Sequence, residues 1–497
     1  MTAGLLPLRA LLPGEPGLPE IRVGDLCLNT RELTADAAFI ALSGTRAHGL
    51  DFAMDALARG AVAVLWDERA SPPARDPRFV HVPGLRRRLP EMANRLFGSW
   101  PGNSPLIAIT GTDGKTSVSH QISTALDALG MHCAVIGTLG VGAPETLAPT
   151  GHTTPDVLQL HRHLAALARD GFEAVALEAS SHALVQGRLD GLRPTVAVLT
   201  HLGRDHLDYH GSIEAYGEAK ATLFRLPGLQ AAVLNLDDNL GRRLFDEIML
   251  TPRHAPHCWT YGIGSSRVVN ERHIQADHVR AEPEGLSFDV RIGSVRAQIH
   301  APLLGHFQVA NLLATLGTLL ALGHAPEPAM QALQRVRGVP GRMERFSVPG
   351  GPMLVVDYAH TPLALESVLQ ALRPHTKGRL VVVFGCGGNR DPGKRPLLGE
   401  VACRLADAVI VTDDNPRDED PAAIRREVLA GCVGSAAVRE IGSRADAIEA
   451  AVMGATAGDV VLIAGKGHET TQTVAGVEQP FSDREQARRR AAGGALA

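Results

Sequence analysis

The chemistry most legible in this 497-residue chain sits in Thr110-Gly111-Thr112-Asp113-Gly114-Lys115-Thr116, continued by Ser117. Glycines let backbone amides close on phosphate oxygens. A lysine followed by a hydroxyl residue supplies a cation for β/γ-phosphates and a ligand for Mg2+. The strict phosphate-loop spacing would place glycine where Ile109 stands, so this is a variant loop whose early turn falls to Gly111. A second constellation follows in Glu178-Ala179-Ser180-Ser181-His182 and in the stretch from His201 to His210, which carries Arg204, Asp205, His206 and Asp208. A carboxylate and an imidazole beside a triphosphate suit a second Mg2+. His206 and His210 also have the spacing of a zinc pair, but no Glu follows the first, as the helical zinc motif requires. For His210, a hydrogen-bonded core histidine is at least as good a reading.

The elements that must hold these residues can be read around them. Leu106 to Ile109 is an apolar run suited to a buried parallel strand. Val118, Ile122, Ala125, Leu126 and Leu129 recur at helical spacing, and Gly130 is placed to end that helix. Strand, glycine loop and helix together aim a helix N-terminus at the phosphates. Further strands are expected at Val175–Leu177, Val196–Leu199 and Ala231–Leu234, separated by helical stretches, which gives a doubly wound parallel sheet.

Upstream, Ala37–Leu42 and Ala61–Leu65 are short apolar runs either side of a helical Phe52–Leu57, and Trp100 to Pro105 is a natural linker. Downstream of Val339-Pro340-Gly341, strands are expected at Met353–Val356, Leu380–Phe384, Ala408–Val411 and Val460–Ala464. Each runs into polar residues, at Asp357, Gly385 to Asn389, Asp413 to Arg417 and Gly465 to Glu469. Ligands of open α/β sheets bind at the carboxyl ends of strands, so these four loops are expected to share a site. The reading is an α/β protein of three domains: residues 1–102, a central phosphate-loop domain 103–339 with the doubly wound sheet, and a Rossmann-like domain 340–497.

With 45% hydrophobic and 21% charged residues, the chain has the balance of a globular protein. A net charge of −4 gives no general attraction to nucleic acid. Six scattered cysteines indicate neither a zinc knuckle nor a disulfide framework and fit a reducing cytoplasm. Met1 to Pro19 lacks the pattern of a signal peptide, and no stretch is long enough to span a membrane.

The run from Thr110 to Thr116, Glu178-Ala-Ser-Ser-His182, Arg204-Asp-His-Leu-Asp-Tyr-His210 and the motifs of the third block, in this order from about Leu28 to Arg484, resemble the Mur ligase family, in particular its diaminopimelate-adding branch. The resemblance implies a monomeric cytoplasmic enzyme of peptidoglycan precursor synthesis. ATP would phosphorylate the D-Glu carboxylate of UDP-N-acetylmuramoyl-L-alanyl-D-glutamate, and the amine of meso-2,6-diaminopimelate would attack the acyl phosphate. It also implies two Mg2+ ions, with Thr116 and Glu178 on one and His206 on the other, and Lys220 carboxylated by CO2 to an anionic metal ligand. Lys220 without that resemblance is a solvated helix lysine in Glu214–Lys220. Folylpolyglutamate synthetase shares the central and C-terminal folds but has no dedicated domain like residues 20–102. A catalytically quiet nucleotide-binding relative is disfavoured because Lys115, Glu178, His206 and Lys220 are all present.

Other residues carry implied roles by matching family motifs. On the ATP, Gly111, Thr112, Asp113, Gly114, Lys115, Thr116 and Ser117 would hold phosphates. Asn235, His306 and Asn311 would face adenine, Arg342 the phosphates and Asp357 the ribose. Phe307, read alone, is as readily core as ligand wall. On the nucleotide-sugar peptide would lie Leu28, Thr30, Thr45, Arg46, Ala47, His152, Thr153, Thr154, Ser180, Gln186 and Arg188. For the amine, meso-diaminopimelate has a distal carboxylate that L-lysine lacks, so a selective site needs a cation for it and an acid for the ammonium. Asp414-Asn415-Pro416-Arg417 with Arg390 offers the cations, and Gly465 with Glu469 the acid. Asp113, His152, His201 and Gln308 stand where the family commonly has Asn. An acid at Asp113 is expected to weaken ATP affinity unless a neighbour offsets it.

Overall fold

The computed structural model describes residues 4–44, 47–67, 72–250, 255–264, 271–434 and 436–493. Thr45 and Arg46 of the expected substrate set lie outside them. Contacts divide the chain into two compact units: 1–115, 130–234 and 238–258 in the first; 116–129, 235–237 and 259–497 in the second.

The first unit begins with a parallel sheet whose strands β1 (Asp25–Cys27), β2 (Ala37–Ala41), β3 (Ala63–Trp66) and β4 (Phe79–His81) lie in sequence order. Every residue of β2 is buried, which explains its unbroken apolar sequence. Helix α1 (Leu85–Phe97) adds Leu85, Leu89, Met92 and Leu96 to the core of this sheet, one stripe at helical spacing.

The unit's second sheet is built from β5 (Leu106–Thr110), β6 (Cys133–Gly137), β7 (Gly140–Gly142), β8 (Ala174–Glu178), β9 (Val196–Leu199) and β10 (Ala231–Asn235), in the order β10-β9-β5-β8-β6-β7. All are parallel except β7, which turns back on β6. β5 has β8 on one side and β9 on the other. Its carboxyl end is therefore a switch point, where connections leave in opposite directions and a crevice opens. Helix α2 (Lys115–Ala128) starts there, and Gly130 follows its end at φ 85°.

In the second unit, β11 (His257–Ile263) runs parallel to β12 (His273–Glu282), and β12, β13 (Gly285–Ile292) and β14 (Val295–Ala301) form an antiparallel meander. The sequence reading placed no strands between 257 and 301. Alternating polar and apolar residues in β14 bury only every second side chain, so no apolar run marks the strand. Helix α3 (Phe307–Ala321) is buried nearly all round. A six-stranded sheet follows, built from β15 (Glu344–Ser347), β16 (Met353–Asp357), β17 (Leu380–Phe384), β18 (Ala408–Val411), β19 (Ala437–Glu440) and β20 (Val460–Ala464), in the order β15-β16-β20-β17-β18-β19. Only β15 is antiparallel. The four expected strands are present, so the loops after Asp357, Phe384, Val411 and Ala464 leave the same edge of the sheet. A hairpin, β21 (Thr471–Val474) and β22 (Val477–Pro480), comes next.

Among the described residues no helix is long and apolar enough to cross a membrane. All six cysteines are free thiols.

Candidate active site

The phosphate loop is built into the switch point by its neighbours. Thr112 donates its amide to the carbonyl of His201 at 2.6 Å, and the Thr200 hydroxyl donates to the carbonyl of Asp113 at 2.6 Å. Gly111 has φ 151°, and a Cβ there would lie 1.9 Å from Thr200 Oγ1. The turn closes against Thr200 in a conformation that a side chain at this position would obstruct. Lys115 Nζ donates to the carbonyls of Gly111 and Thr112 at 2.9 and 2.8 Å.

Lys220 reaches the same loop from the helix Ile213–Ala221, with Nζ 2.8 Å from the Gly111 carbonyl and 4.2 Å from the Tyr216 ring centroid. Burial, then the Lys115 cation, pushes its amine down to about 7, while Asp205 and Asp113 pull the other way. The sequence reading of a solvated lysine is thus replaced by a buried one, because the helix turns this residue inward beneath the loop. Tyr216 is buried too, with its hydroxyl 3.2 Å from Thr112 Oγ1, and burial raises its phenol.

Glu178 ends β8 fully buried, accepting from the Thr138 amide at 3.0 Å and hydroxyl at 3.1 Å. Gly137 makes room for it: a Cβ there would lie 2.1 Å from Glu178 Oε1. Thr154 donates its hydroxyl to the Glu178 carbonyl at 2.7 Å and lies 3.2 Å from Ser180 Oγ, and Thr153 Oγ1 lies 3.1 Å from Thr138 Oγ1. Arg188 donates to the carbonyl of Thr154 at 2.5 Å and to Gln186 Oε1 at 2.7 and 3.0 Å. Thr153, Thr154, Ser180, Gln186 and Arg188 are therefore one network next to Glu178. His152 joins it at its edge, where Thr150 donates to its carbonyl at 2.9 Å. Leu28, Thr30 and Ala47 belong to the four-stranded part of the unit, and among the described residues none of them hydrogen-bonds to this network. Thr138 was not singled out from sequence; its only mark is its place directly after the apolar strand.

His206 takes the left-handed conformation, φ 51°, at the start of a single turn, Leu207–His210, where the sequence reads as loop. Its Nε2 lies 3.3 Å from Asp205 Oδ2, and its ring stands edge-on to His182 at 4.8 Å. His210 Nε2 lies 3.0 Å from Ser181 Oγ, so it is hydrogen-bonded, but it is half-buried and not a core histidine. His201 pairs with Asp238 at 3.1 Å, and that hydrogen bond raises its imidazole above the ordinary value. Among the described residues no three His, Cys, Asp or Glu side chains form a metal cluster.

In the second unit, Gln308 Oε1 accepts from Gln121 and Asn311 at 3.0 and 3.1 Å, which fixes Asn311 on α3. The Asn235 side chain accepts the Asp237 amide, and His306 is exposed beside Phe307. Phe307 is 46% exposed, so it is not simple core. Arg342 stacks on Tyr358 at 4.9 Å, and its buried Nε has no hydrogen-bond partner. Both Asp357 oxygens accept backbone amides, from Met343 at 2.8 Å and Ala359 at 2.7 Å, so the carboxylate ties two loops; burial raises it.

The loops after β17, β18 and β20 interlock. Gly388 donates its amide to the carbonyl of Asn415 at 2.9 Å, and Arg417 Nη1 donates to the carbonyl of Gly388 at 2.6 Å. Arg417 has φ 53° and bonds through its amide to Thr473 on β21 at 3.0 Å. Asn415 Nδ2 donates to Glu469 Oε2 at 2.9 Å. Gly465 has φ 118°, and a Cβ there would lie 2.6 Å from Asp414 Oδ2. Asp414, Asn415 and Pro416 are buried, and Arg390 is exposed beside them in sequence-loop 387–390. The structure thus assembles Asp414, Asn415, Pro416, Arg417, Gly465 and Glu469 at one sheet edge, as the strand-end argument requires.

A phosphate-type loop at the switch point of a doubly wound sheet, with buried Glu and Lys beside it, defines an α/β nucleotide-dependent enzyme. Three family models match in order: the Mur ligase family catalytic domain over residues 24–96, the Mur ligase middle domain over 109–319 and the Mur ligase glutamate ligase domain over 341–467. A protein of Xylella fastidiosa named UDP-N-acetylmuramoyl-L-alanyl-D-glutamate–2,6-diaminopimelate ligase is 47% identical over 97% of each chain. One of the same name from Alkalilimnicola ehrlichii is 46% identical over 93% of each. A solved structure bearing that name is 35% identical, covers 98% of this chain and 99% of its own, and superposes with a TM-score of 0.73. The chain belongs to the Mur ligase family and is a ligase of its α/β fold.

Proposed function

We propose that the chain joins 2,6-diaminopimelate to UDP-N-acetylmuramoyl-L-alanyl-D-glutamate at the expense of ATP, in the synthesis of the peptidoglycan precursor. The observation that carries this reading is the loop Asp414-Asn415-Pro416-Arg417 tied to Glu469, together with relatives that bear this activity in their name over nearly the whole chain. A guanidinium and a carboxylate on one sheet edge suit the distal carboxylate and ammonium of the amine substrate.

The reaction needs the dipeptide carboxylate to become a leaving-group ester. A carboxylate oxygen attacks the γ-phosphorus of ATP, ADP departs, and an acyl phosphate remains. The amine then attacks the carbonyl carbon, loses a proton, and the C–O bond to phosphate breaks. Phosphoryl transfer asks chiefly for positioning and neutralised charge. Gly111 to Thr116 supply backbone amides, and Lys115 exchanges its two loop carbonyls for phosphate oxygens. Thr154, Gln186 and Arg188 would orient the dipeptide carboxylate beside Glu178. Asn235, His306 and Asn311 are assigned to the adenine side and Arg342 to the phosphates by their match to family motifs.

The donor types fit the two Mg2+ ions the family resemblance implies: the Thr116 hydroxyl and the buried Glu178 carboxylate for one and the His206 imidazole for the other would be few and mostly hard, leaving other positions to phosphate and water. Bound there, Mg2+ neutralises charge on the phosphates. Lys220 is assigned as the site of carboxylation, since carbamate formation consumes a neutral amine and burial favours that form.

The test is phosphate release from ATP with the UDP-linked dipeptide and each candidate amine. Release that depends on diaminopimelate is expected. Release independent of any amine would sink the reading.

A further inference from the structure

Lys466 lies in the loop after β20, between two glycines in left-handed conformation, Gly465 at φ 118° and Gly467 at φ 53°. Its side chain is 0% exposed. A lysine is rarely held this way unless its charge is matched. Its Nζ donates to Glu469 Oε2 at 2.9 Å and to Asn415 Oδ1 at 3.1 Å. Asn415 closes the triangle by donating to the same Glu469 oxygen at 2.9 Å, and is itself fixed by the Thr473 amide at 3.0 Å. Glu469 Oε1 accepts no hydrogen bond from the described residues, and its side chain is one-third exposed.

The arrangement divides Glu469 into two oxygens with different duties. We propose that Lys466 is a positioning residue for amine selection: it occupies Glu469 Oε2 and orients the carboxylate so that Oε1 faces a ligand ammonium. This rests on the reading that Glu469 and Arg417 bind the distal end of diaminopimelate. Without Lys466, Glu469 keeps only the Asn415 hydrogen bond on Oε2, and Asn415 Oδ1 keeps only the Thr473 amide, which loosens both the carboxylate and the turn that aims Arg417. A ligand gripped at both distal charges loses more from this than one gripped at the ammonium alone.

The test uses the full chain and steady-state phosphate release, with meso-diaminopimelate and L-lysine as alternative amines. Lys466→Gln is expected to raise the KM for diaminopimelate at least about tenfold, as the loss of a buried charge contact implies. The kcat should stay within about threefold, the KM for ATP should not move, and the preference over L-lysine should fall. A merely structural role would not split KM from kcat in this way. In a Glu469→Gln background the same substitution should raise KM by clearly less than it does in the unmodified chain, because only the route through Asn415 remains. An undiminished effect there, or an unchanged KM in the single variant, overturns the proposal. Should Lys466→Gln give no folded protein, Asn415→Asp draws the ammonium toward position 415 without emptying its pocket. It is expected to raise the same KM at least about threefold, and an unchanged KM overturns the proposal. If the unmodified protein releases no phosphate with diaminopimelate, the site reading fails and this inference with it. If it does and the variants match it, only the role of Lys466 fails.

Discussion

Replacing Asp483 by Asn isolates what a buried charge contributes to the second unit. Asp483 opens the helix Asp483–Ala491 and meets Arg444 through two hydrogen bonds of 2.7 Å, with both side chains fully buried. The same guanidinium donates to the carbonyl of Ala464 at 2.9 Å and to that of Asp413 at 3.3 Å, where two of the site loops begin. Asn keeps the shape but removes the charge, so Arg444 is left as an uncompensated buried cation at a cost of about 3–5 kcal/mol. At about 2–4 °C per kcal/mol for a unit of this size, the unfolding transition should fall by about 6–20 °C. Calorimetry measures it, and denaturant melts followed by circular dichroism give the free energy. As a contrast, Arg488 pairs with Glu485 at 3.1 Å with both side chains about half exposed, and Arg488→Ala should cost under about 1 kcal/mol. A loss of less than about 1 kcal/mol in Asp483→Asn, or one no larger than in the surface variant, would refute the reasoning that this pair is kept dry and dependent on both charges.

Gly111→Ala should abolish measurable ATP binding in equilibrium titration, because its Cβ would overlap Thr200 Oγ1 at 1.9 Å in a backbone region closed to alanine; near-normal affinity would show that the loop relaxes. His120 is buried without a partner on Nε2, and burial lowers its imidazole from 6.5 to about 4. The folded state thus binds its proton less readily than the unfolded state, so stability is full above pH 6.5 and is lost as pH falls toward 4, by about 3 kcal/mol at about 1.4 kcal/mol per pH unit. Urea midpoints at pH 7.5 and 4.5 should therefore converge in His120→Phe relative to the unmodified chain, and identical acid sensitivity would argue against this histidine. Arg417→Ala should raise the KM for diaminopimelate by about tenfold or more with the KM for ATP near normal, whereas equal changes in both would show a general disturbance of the unit.

The sequence by itself determined the elements whose cause is local. Apolar runs such as Leu106–Thr110 and Leu380–Phe384 are buried on both faces, so their shortness, β-branched residues and flanking turn residues mark them as parallel strands. The phosphate loop was legible because its glycines and its lysine act within seven residues, and the strand-end rule brought Asp414 to Arg417 together with Glu469. Tertiary structure decided what depends on partners distant in the chain. The strands between 257 and 301 interleave polar with apolar residues and carry no apolar run, even where, as in Gly285–Ile292, most residues are buried. The burial of Lys220 and Lys466 follows from what the fold packs around them, and a lysine in a helix or a glycine loop looks the same in sequence whether it meets water or a carboxylate. The service of Asp357 to two backbone amides arises only once β16 is laid beside the loop of Met343. Thr138 gains its meaning from Glu178, forty residues away, because parallel strands place side by side what the chain keeps apart.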